Sequence, residues 1–378
     1  MPSAIVSVTN DLTTDQRVDR TCTALVKMGY DVLLVGRRLR NSKTLSPRIY
    51  LTHRMRLLFD KGPLFYAEYN ISLFFFLLSH RYDLVVSNDL DTLPANYLAE
   101  LVKRPFPRSK KVNIRHLHDC HEYFRGVPEL VGRKAVMKVW KWIEDRIFPR
   151  LKHVVAVNQS IAKLYSTEYG NKIEVIRNVP FSKPLTGARD KVSMNIRNDQ
   201  KIILYQGAVN VDRGLEEAIM AMKYLKSDAV LIIAGTGDIF TSLEKLVASQ
   251  GLSHKVRLLG QVPFSELHSI TLTADLGISI EKDVSINYHY CLPNKFLDYI
   301  QANIPVLVSP FPEMKAIVDQ YGIGEFIENH DPVSIARQMD SMLNNRDQLT
   351  VYKNNMREAA KELCWEKEEE RLRKVLSD

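Results

Sequence analysis

The stretch LPNKFLDYIQANIPVLVS, Leu292 to Ser309, is written as a short helix with marked ends. Pro293 has its φ set for a first helical turn and carries no N–H to leave unpaired, while Asn303 and Pro305 supply a left-handed exit and a stop. Lys295 falls in the first turn, where backbone N–H groups without intrahelical partners already favour an anion. Asp298, three residues on, shares its face, a spacing that commonly gives a solvated ion pair worth roughly a few tenths of a kcal/mol. A phosphate is the group that a lysine at this helix start suits.

Other clusters bear on the same chemistry. In YQGAVNVDRGLEEAI, Gly207 and Gly214 allow a tight loop, and Arg213 stands just before a helix, able to clamp a diphosphate together with Lys295. AGTGD carries Gly235 in a second glycine-rich turn, and LLGQVP carries Gly260 in a loop whose backbone polar groups can receive a flat base. HLHDCHEYF brings His116, His118, Asp119, His121 and Glu122 together at a strand end, where a neutral histidine can contact a sugar hydroxyl or pass a proton. His-x-His spacing also suits a metal. Strand alternation, however, puts His116 and His118 on one face and leaves His121 in the loop, with no Cys or further His nearby to complete a set. In TNDLTTDQRVDR, Asn10 and Asp11 occupy the loop after the first strand and Asp15 is placed as an N-cap, with Arg17 structural beside it; Asp89 and Asp91 of NDLDTLP are likewise placed for capping. No GxGxxG follows the first strand, which removes the usual dehydrogenase signal.

These loops need strands before them and helices after them, and the chain supplies both. Strand patterns occur at 4–8, 31–36, 83–88, 112–117, 153–158 and 173–178, with helical stretches between several of them, such as Asp15 to Met28 closed by Gly29. The grammar repeats at 201–207, 229–235, 256–261, 276–280 and 305–309. Alternating β and α with buried-type strands predicts parallel sheets covered on both faces, hence two doubly wound α/β domains. Residues 180–200, polar and broken by Pro and Gly, read as the linker, and CWEKEEERLRKVLSD closes the sequence as a strongly helical segment with few apolar positions. In such sheets ligands bind beyond the carboxyl ends of the strands, where all the candidate residues fall.

At 378 residues the chain is most simply two domains, and 45% hydrophobic with 25% charged residues is the composition of a globular protein. Cys22, Cys120, Cys291 and Cys364 stand far apart without CxxC spacing, which argues against a zinc site or a disulfide framework and for a reducing cytoplasm. The opening residues lack the pattern of a secretory signal, and the most apolar run, Ile71 to Leu78, is far short of the ~20 residues that span a bilayer. The net charge of +8 is uneven: residues 1–182 carry +12 and the remainder −4. The basic residues concentrate between Lys103 and Lys152, in RPFPRSKK and in a segment where Val136, Val139, Trp140, Ile143, Ile147 and Phe148 recur at helical spacing beside Arg133, Lys134, Lys138 and Lys141. A basic amphipathic helix suits an anionic membrane surface, although its apolar stripe more often faces a core. Nucleic acid is not expected, because aromatic residues are not interleaved with the basic ones as a stacking platform requires.

Taken in order, NDLTTDQRV, HDCHE, VIRNVP, QGAVNVDRG, AGTGD, LLGQVP, LPNKFLDYIQANIPVL and CWEKEEERL resemble the retaining glycosyltransferases of family 4, with the two-Rossmann GT-B architecture in which the domains face across a cleft. The resemblance implies an acceptor-binding domain at 1–182, a nucleotide-sugar donor domain at 183–361, and a last helix, from about 362 to 378, that packs back on the first domain. It implies that Arg213 and Lys295 bind the donor diphosphate at the helix beginning at Pro293 and that His121 is the active-site histidine. Asn287 and Tyr288 precede the PNK form of the motif known in one branch of the family. Gly207, Gly235, Gly260, Asn287, Tyr288, Pro293, Asn294, Phe296 and Asp298 are the expected donor contacts, and Asn10, Asp89 and Glu122 lie on the acceptor side. Two positions depart from the family pattern. The first of its paired glutamates falls on Tyr290, the second being Asp298, and the first of its paired basic residues falls on Ala208.

The implied reaction moves a sugar from a nucleoside-diphosphate sugar to an acceptor hydroxyl, with no metal and no cofactor beyond the co-substrate. The acceptor is expected to be a sugar or lipid-linked sugar, in polysaccharide or glycoconjugate assembly at the cytoplasmic face of an anionic membrane. A sugar-nucleotide 2-epimerase on the same architecture is a rival, one that would need no acceptor. A non-catalytic nucleotide-sugar-binding protein is another, and it accords with the missing glutamate at Tyr290.

Overall fold

Two parallel sheets organise the chain. The computed structural model describes residues 1–13, 15–103, 114–127 and 133–377. The basic stretch RPFPRSKK, the first two residues of the strand expected at 112–117 and the glycine opening the basic segment at 132 lie outside the described residues. One compact unit is Met1–Asn178 together with the chain from Glu368 onward, and the other is Val179–Lys367.

The first unit runs β1 (Ser3–Ser7), α1 (Gln16–Lys27), β2 (Asp31–Arg38), β3 (Leu51–Arg56), α2 (Gly62–Ser79), β4 (Leu84–Asn88), α3 (Asp89–Lys103), β5 (Arg115–Cys120), α4 (Lys134–Ile147), β6 (His153–Ala156), α5 (Gln159–Tyr169) and β7 (Ile173–Val175). Its seven strands lie in the order β3-β2-β1-β4-β5-β6-β7, and every recorded pairing is parallel. β1 pairs with both β2 and β4, so the order reverses there and opens a crevice beyond the carboxyl ends of β1 and β4. The run Ile71 to Leu78 is the body of α2, whose Phe65, Tyr69, Leu73 and Leu77 recur every four residues and bury one face against the core. Among the described residues no helix is long and apolar enough to cross a membrane.

α3 begins directly at the sheet edge and contains Pro94. Pro94 has no N–H to give to Leu90 C=O, and the next helical bond, between Ala95 N–H and Asp91 C=O, is bridged by a side chain instead. Asn70 forms the bridge, donating to Asp91 O at 2.8 Å and accepting from Ala95 N at 3.1 Å, which keeps the first turn of α3 in place.

The second unit runs β8 (Lys201–Gln206), α6 (Leu215–Ala221), β9 (Ala229–Ala234), α7 (Phe240–Ser249), β10 (Val256–Gly260), α8 (Phe264–Thr271), β11 (Leu276–Ser279), α9 (Ile286–His289), α10 (Asn294–Gln301), β12 (Val306–Val308), α11 (Pro312–Tyr321), β13 (Gly324–Phe326), α12 (Pro332–Asn344) and α13 (Arg346–Glu362); α14 (Trp365–Ser377) ends the chain. The sheet order is β10-β9-β8-β11-β12-β13, again with parallel pairings throughout, and it reverses between β8 and β11. Ile203, Tyr205, Leu231, Ile233, Leu276, Ile278 and Leu307 fill the interior.

β3 and β13 were not among the expected strands. Both are edge strands, one mostly exposed and polar, the other only three residues long, so neither carries a buried-strand pattern. In α4 the expected apolar stripe is only partly inward. Trp140 and Ile147 are buried, but Val139 is 57% exposed, because it precedes Trp140 on the turn and faces away from the core.

The chain from Glu368 onward sits on the first unit through specific bonds. The Glu368 side chain, fully buried, accepts from Arg177 N at 3.1 Å and from Arg371 at 2.6 Å, Lys27 pairs with Glu369 at 2.8 Å, and Leu372 and Leu376 are buried. Just before it, Trp365 is fully buried within the second unit and its backbone N–H donates to Pro180 O at 2.8 Å.

Candidate functional site

At the switch point of the second unit, the loops after β8 and β11 are tied together. Gly207 (φ 124°) follows β8, and Gly235 (φ 154°) follows β9 so closely that a Cβ there would strike the Gly207 carbonyl. Asp212 and Gly214 adopt φ of 64° and 71°, turning the chain sharply into α6 with Arg213 between them. Lys282 N donates to Asp212 O at 2.9 Å, which locks the loop after β11 to that turn.

This brings Arg213 to Glu281, two residues past β11 and fully buried, with 3.6 Å between Nη1 and Oε1. Lys295, in the first turn of α10 and 8% exposed, forms an ion pair with the same Oε1 and lies 4.7 Å from the centre of the Tyr205 ring. Ser279 Oγ donates to the other carboxylate oxygen at 2.9 Å. Burial opposes both charges, but each partner outweighs it for the other: the Glu281 carboxyl is held below its ordinary value and the Lys295 ammonium above. The Arg213 guanidinium stacks 4.7 Å from the Tyr288 ring, and its Nε is buried without a hydrogen-bond partner.

The aim of α10 is set from below. Tyr299 Oη donates to Leu204 O at 2.9 Å and accepts from Gln206 N at 3.2 Å, and Gly277 leaves the room that its ring occupies. Pro293 is the N-cap rather than the first helical residue, and no side chain caps this end. Asn303, φ 57°, turns the chain out of the helix as its sequence position implied.

Lys295 and Asp298 do not form the pair that their spacing allows. Asp298 instead pairs with Lys183 at 3.0 Å and accepts from Gln206 Nε2 at 3.1 Å, while Lys295 is drawn inward to Glu281. Phe296 is a correction to the expected donor contacts: it is fully buried in the core, and its N–H is bonded to Pro293 O, so it fixes α10 and offers a ligand nothing. Asn287 and Tyr288 lie on α9, capped by Ser285, and Asn294 is the first residue of α10. Gly260, φ 66°, ends β10, and a cavity of about 430 Å³ opens beside its loop, lined in part by Arg257, Leu259, Gln261 and Pro263.

The crevice of the first unit gathers a different set. His121, just past β5, has its N–H bonded to Asp89 Oδ1 at 2.8 Å, its Nδ1 3.5 Å from Asp89 Oδ2 and its Nε2 3.5 Å from Asp119 Oδ2. Burial disfavours its charge, but Asp89 and then Asp119 override this and raise its pKa to about 9. The expected neutral imidazole is therefore an imidazolium at neutral pH, a donor and a cation rather than a base. Asp89 does not cap α3. It sits at φ 57° and spends its carboxylate on His121.

Asp119 is in turn gripped by Arg17 through bonds of 2.5, 3.0 and 3.2 Å. On the acceptor side, the Asn10 amide donates to Asp15 at 2.7 Å and its oxygen accepts from Leu12 N at 2.9 Å, an Asx turn that orients the side chain within its own loop. Glu122 is partly exposed in the turn after His121. His116 and His118 do share a face, and both meet Ser87 Oγ, at 2.8 and 2.9 Å, inside the core; His116 also pairs with Glu100 at 2.9 Å. Burial, and then His116, push His118 down to about 3, so it stays neutral. No group of three or more His, Cys, Asp or Glu among the described residues is placed to hold a metal ion.

Glu281 escaped the sequence reading, which ended the strand at Ile280. The signal was an acidic residue directly after a buried-type strand, opposite Arg213 and Lys295 across the switch point. Asp91, read from the sequence as a cap, is 8% exposed, accepts from Thr9 Oγ1 at 2.6 Å, and is raised to about 7, first by burial and then by Asp89.

The family comparisons divide at the same place as the fold. The model described as Glycosyltransferase Family 4 matches residues 15–179, and that described as Glycosyl transferases group 1 matches residues 188–362. Two uncharacterized glycosyltransferases of Methanocaldococcus jannaschii are similar: MJ1607, 30% identical over 40% of this chain and 38% of its own length, and MJ1069, 23% identical over 71% of this chain and 69% of its own. The chain thus spans well under half of the first relative and about two thirds of the second. Among solved structures, sucrose-phosphate synthase from Thermosynechococcus elongatus superposes with a TM-score of 0.79 at 16% identity, covering 100% of this chain and 98% of that one. HepE from Anabaena, in complex with UDP and glucose, gives a TM-score of 0.73 at 13% identity with 100% of both chains covered. With models of one enzyme family matching both halves and two doubly wound sheets to account for them, the chain belongs to the family 4, group 1 glycosyltransferases and has the GT-B fold.

Proposed function

We propose that the protein transfers a sugar from a nucleoside-diphosphate sugar to an acceptor hydroxyl with retention of anomeric configuration, the donor bound by the second unit and the acceptor by the first. The observation that carries this reading is the convergence of Arg213 and Lys295 at the β8/β11 switch point beside the uncapped start of α10. Three positive groups meet there, and the buried, unpartnered Arg213 Nε is a donor in want of an acceptor. Such an array stabilises the negative charge that grows on a leaving diphosphate, the task a metal ion performs elsewhere. The HepE complexes with UDP and glucose and with UDP-glucose support a donor of this class. Asp298 and the Gly260 loop are the proposed contacts to ribose and base. His121, held as a cation between two carboxylates, donates to the sugar rather than taking a proton. The acceptor proton then passes to the donor phosphate.

The test is thermal stability with UDP, GDP, ADP and CMP in EDTA, followed by release of nucleoside diphosphate in the presence of sugar acceptors. A nucleotide at a hundred times its dissociation constant adds ~2.7 kcal/mol, a clear shift of the midpoint. One diphosphate is expected to give it. No shift from any nucleotide would remove the reading, and turnover of nucleotide sugar without net release of diphosphate would favour the epimerase.

The acceptor is proposed to be presented at an anionic membrane. The first unit exposes Leu64, Ile71 and Phe75 on α2, Leu98, Leu101 and Val102 on α3, and Val139 and Trp142 on α4, with α2 packed on α3 and α3 on α4. Lys134 and Lys138 stand exposed among them, and Arg146 stacks 4.3 Å from the Trp142 ring. Apolar side chains that insert and cations worth ~1 kcal/mol each at an anionic surface complement such a leaflet. Replacing Val139 and Trp142 by Ser is expected to weaken sedimentation with phosphatidylserine vesicles about ten-fold while leaving nucleotide binding intact. Equal sedimentation of the variant, or none by the wild type, would refute the membrane face.

A further inference from the structure

Glu281 is an odd residue to find in a site built for phosphates. It is fully buried, carries a negative charge, and is paired with both Arg213 and Lys295. Its own position is over-determined: Ser279 Oγ holds one carboxylate oxygen at 2.9 Å, and Ser309 Oγ, from the loop after β12, donates to its carbonyl at 2.6 Å. A residue whose carboxylate and backbone are each held by a serine is a fitting rather than a passenger.

From this geometry we infer that Glu281 is a positioning residue of the diphosphate site, holding Lys295 charged and aimed across the start of α10 and keeping Arg213 beside it. The inference rests on the proposal that this site takes a nucleoside diphosphate. The groups that face the Lys295 ammonium are Glu281 from the loop after β11, Tyr205 from β8, Arg213 from the turn before α6 and Cys291 from the segment before α10. Tyr205 and Cys291 are both neutral, their ionisation pushed upward chiefly by burial, the cysteine to about 12. Arg213 repels the ammonium, and burial disfavours it. Glu281 is thus the negative charge that keeps the buried amine protonated. It also explains how the site exists without its ligand. Two cations facing each other with no anion between them would drive Lys295 out to solvent or strip its proton, and the diphosphate would then have to rebuild the site on arrival. The carboxylate offsets one positive charge and leaves the pair with a net charge that still attracts a phosphate.

The consequence is a pH dependence that a purely structural role would not produce. In Glu281→Gln the amide keeps the size and the Ser279 contact, but Lys295 is left with burial and Arg213 acting against its charge, so its pKa falls. Affinity for the nucleoside diphosphate, measured by calorimetry between pH 7 and pH 9.5, is expected to change less than about two-fold in the wild type and to weaken more than ten-fold across the range in Glu281→Gln. Glu281→Asp, which keeps the charge, is expected to restore most of the flat profile. If the Gln variant does not fold, Ser279→Ala serves, since it frees the carboxylate and is expected to give an intermediate slope. Parallel profiles for wild type and variants would overturn the role of Glu281 and leave the donor site standing. Absence of binding by the wild type at every pH would overturn both.

Discussion

Lys295→Ala is expected to abolish the thermal shift given by the nucleoside diphosphate and to lower turnover by about 100- to 1,000-fold, the usual consequence of losing one group aimed at a developing negative charge. It is also expected to destabilise the protein without ligand, because Glu281 is fully buried and loses its nearest counter-charge. Stripping one member from a buried ion pair costs about 3–5 kcal/mol, and the lower end applies here because Arg213 and Ser279 remain beside the carboxylate. The two effects separate in the double variant Lys295→Met/Glu281→Leu. With no charge left unpaired, it should recover most of the stability in a denaturant melt and none of the nucleotide binding. Nucleotide binding by Lys295→Ala at wild-type strength would remove Lys295 from the site, whatever the melt showed.

The residues of the proposed donor site were legible in the sequence because each carried its own local signature. Lys295 sits in the first turn of a helix with marked ends, Arg213 in a turn that needs glycine, and both follow strands whose buried character is plain. What linear pattern could not give was their partners. Lys295 and Asp298 are neighbours on a helix, yet one turns to Glu281 and the other to Lys183, choices set by which loops the sheet order brings together. Charge state was hidden for the same reason. His121 reads as an ordinary histidine until Asp89 and Asp119, from the ends of neighbouring strands, close on it. Asn10 adds a further case: a polar residue in the expected loop whose bonds to Asp15 and Leu12 shape that loop, which its sequence position alone does not tell. The sheet pattern was legible for interior strands, where burial on both faces writes continuous apolar runs, and for the edge strands β7 and β10, but was lost at the other two edges, β3 and β13, which lack that pressure.

In the first unit the largest expected effect comes from Arg17. Its guanidinium and Asp119 are each 4% exposed, joined by three hydrogen bonds, and a fourth runs from Arg17 to Ile176 O at 2.6 Å. Arg17→Met keeps the stem but leaves Asp119 buried with only His121 near it and the Ile176 carbonyl unpaired. A loss of about 3–5 kcal/mol follows, which for a unit of this size is roughly 6–20 °C in midpoint. Arg17→Met/Asp119→Leu should regain much of it. The pair also sets a pH dependence with two limbs. The Asp119 carboxyl, held far below its ordinary value by Arg17 and His121 against the pull of burial, contributes stability that is present above the unfolded value of about 3.9 and lost as the pH falls below it. His121, raised to about 9, contributes stability that is full below its unfolded value of about 6.5 and lost as the pH rises through 9. Wild-type protein should therefore melt progressively lower from pH 6.5 to 9. In Asp119→Asn, where His121 keeps only Asp89, that alkaline decline should shrink. An alkaline limb of equal depth in wild type and Asp119→Asn would mean that His121 owes its charge to Asp89 alone, and the imidazolium would then hang on a single carboxylate.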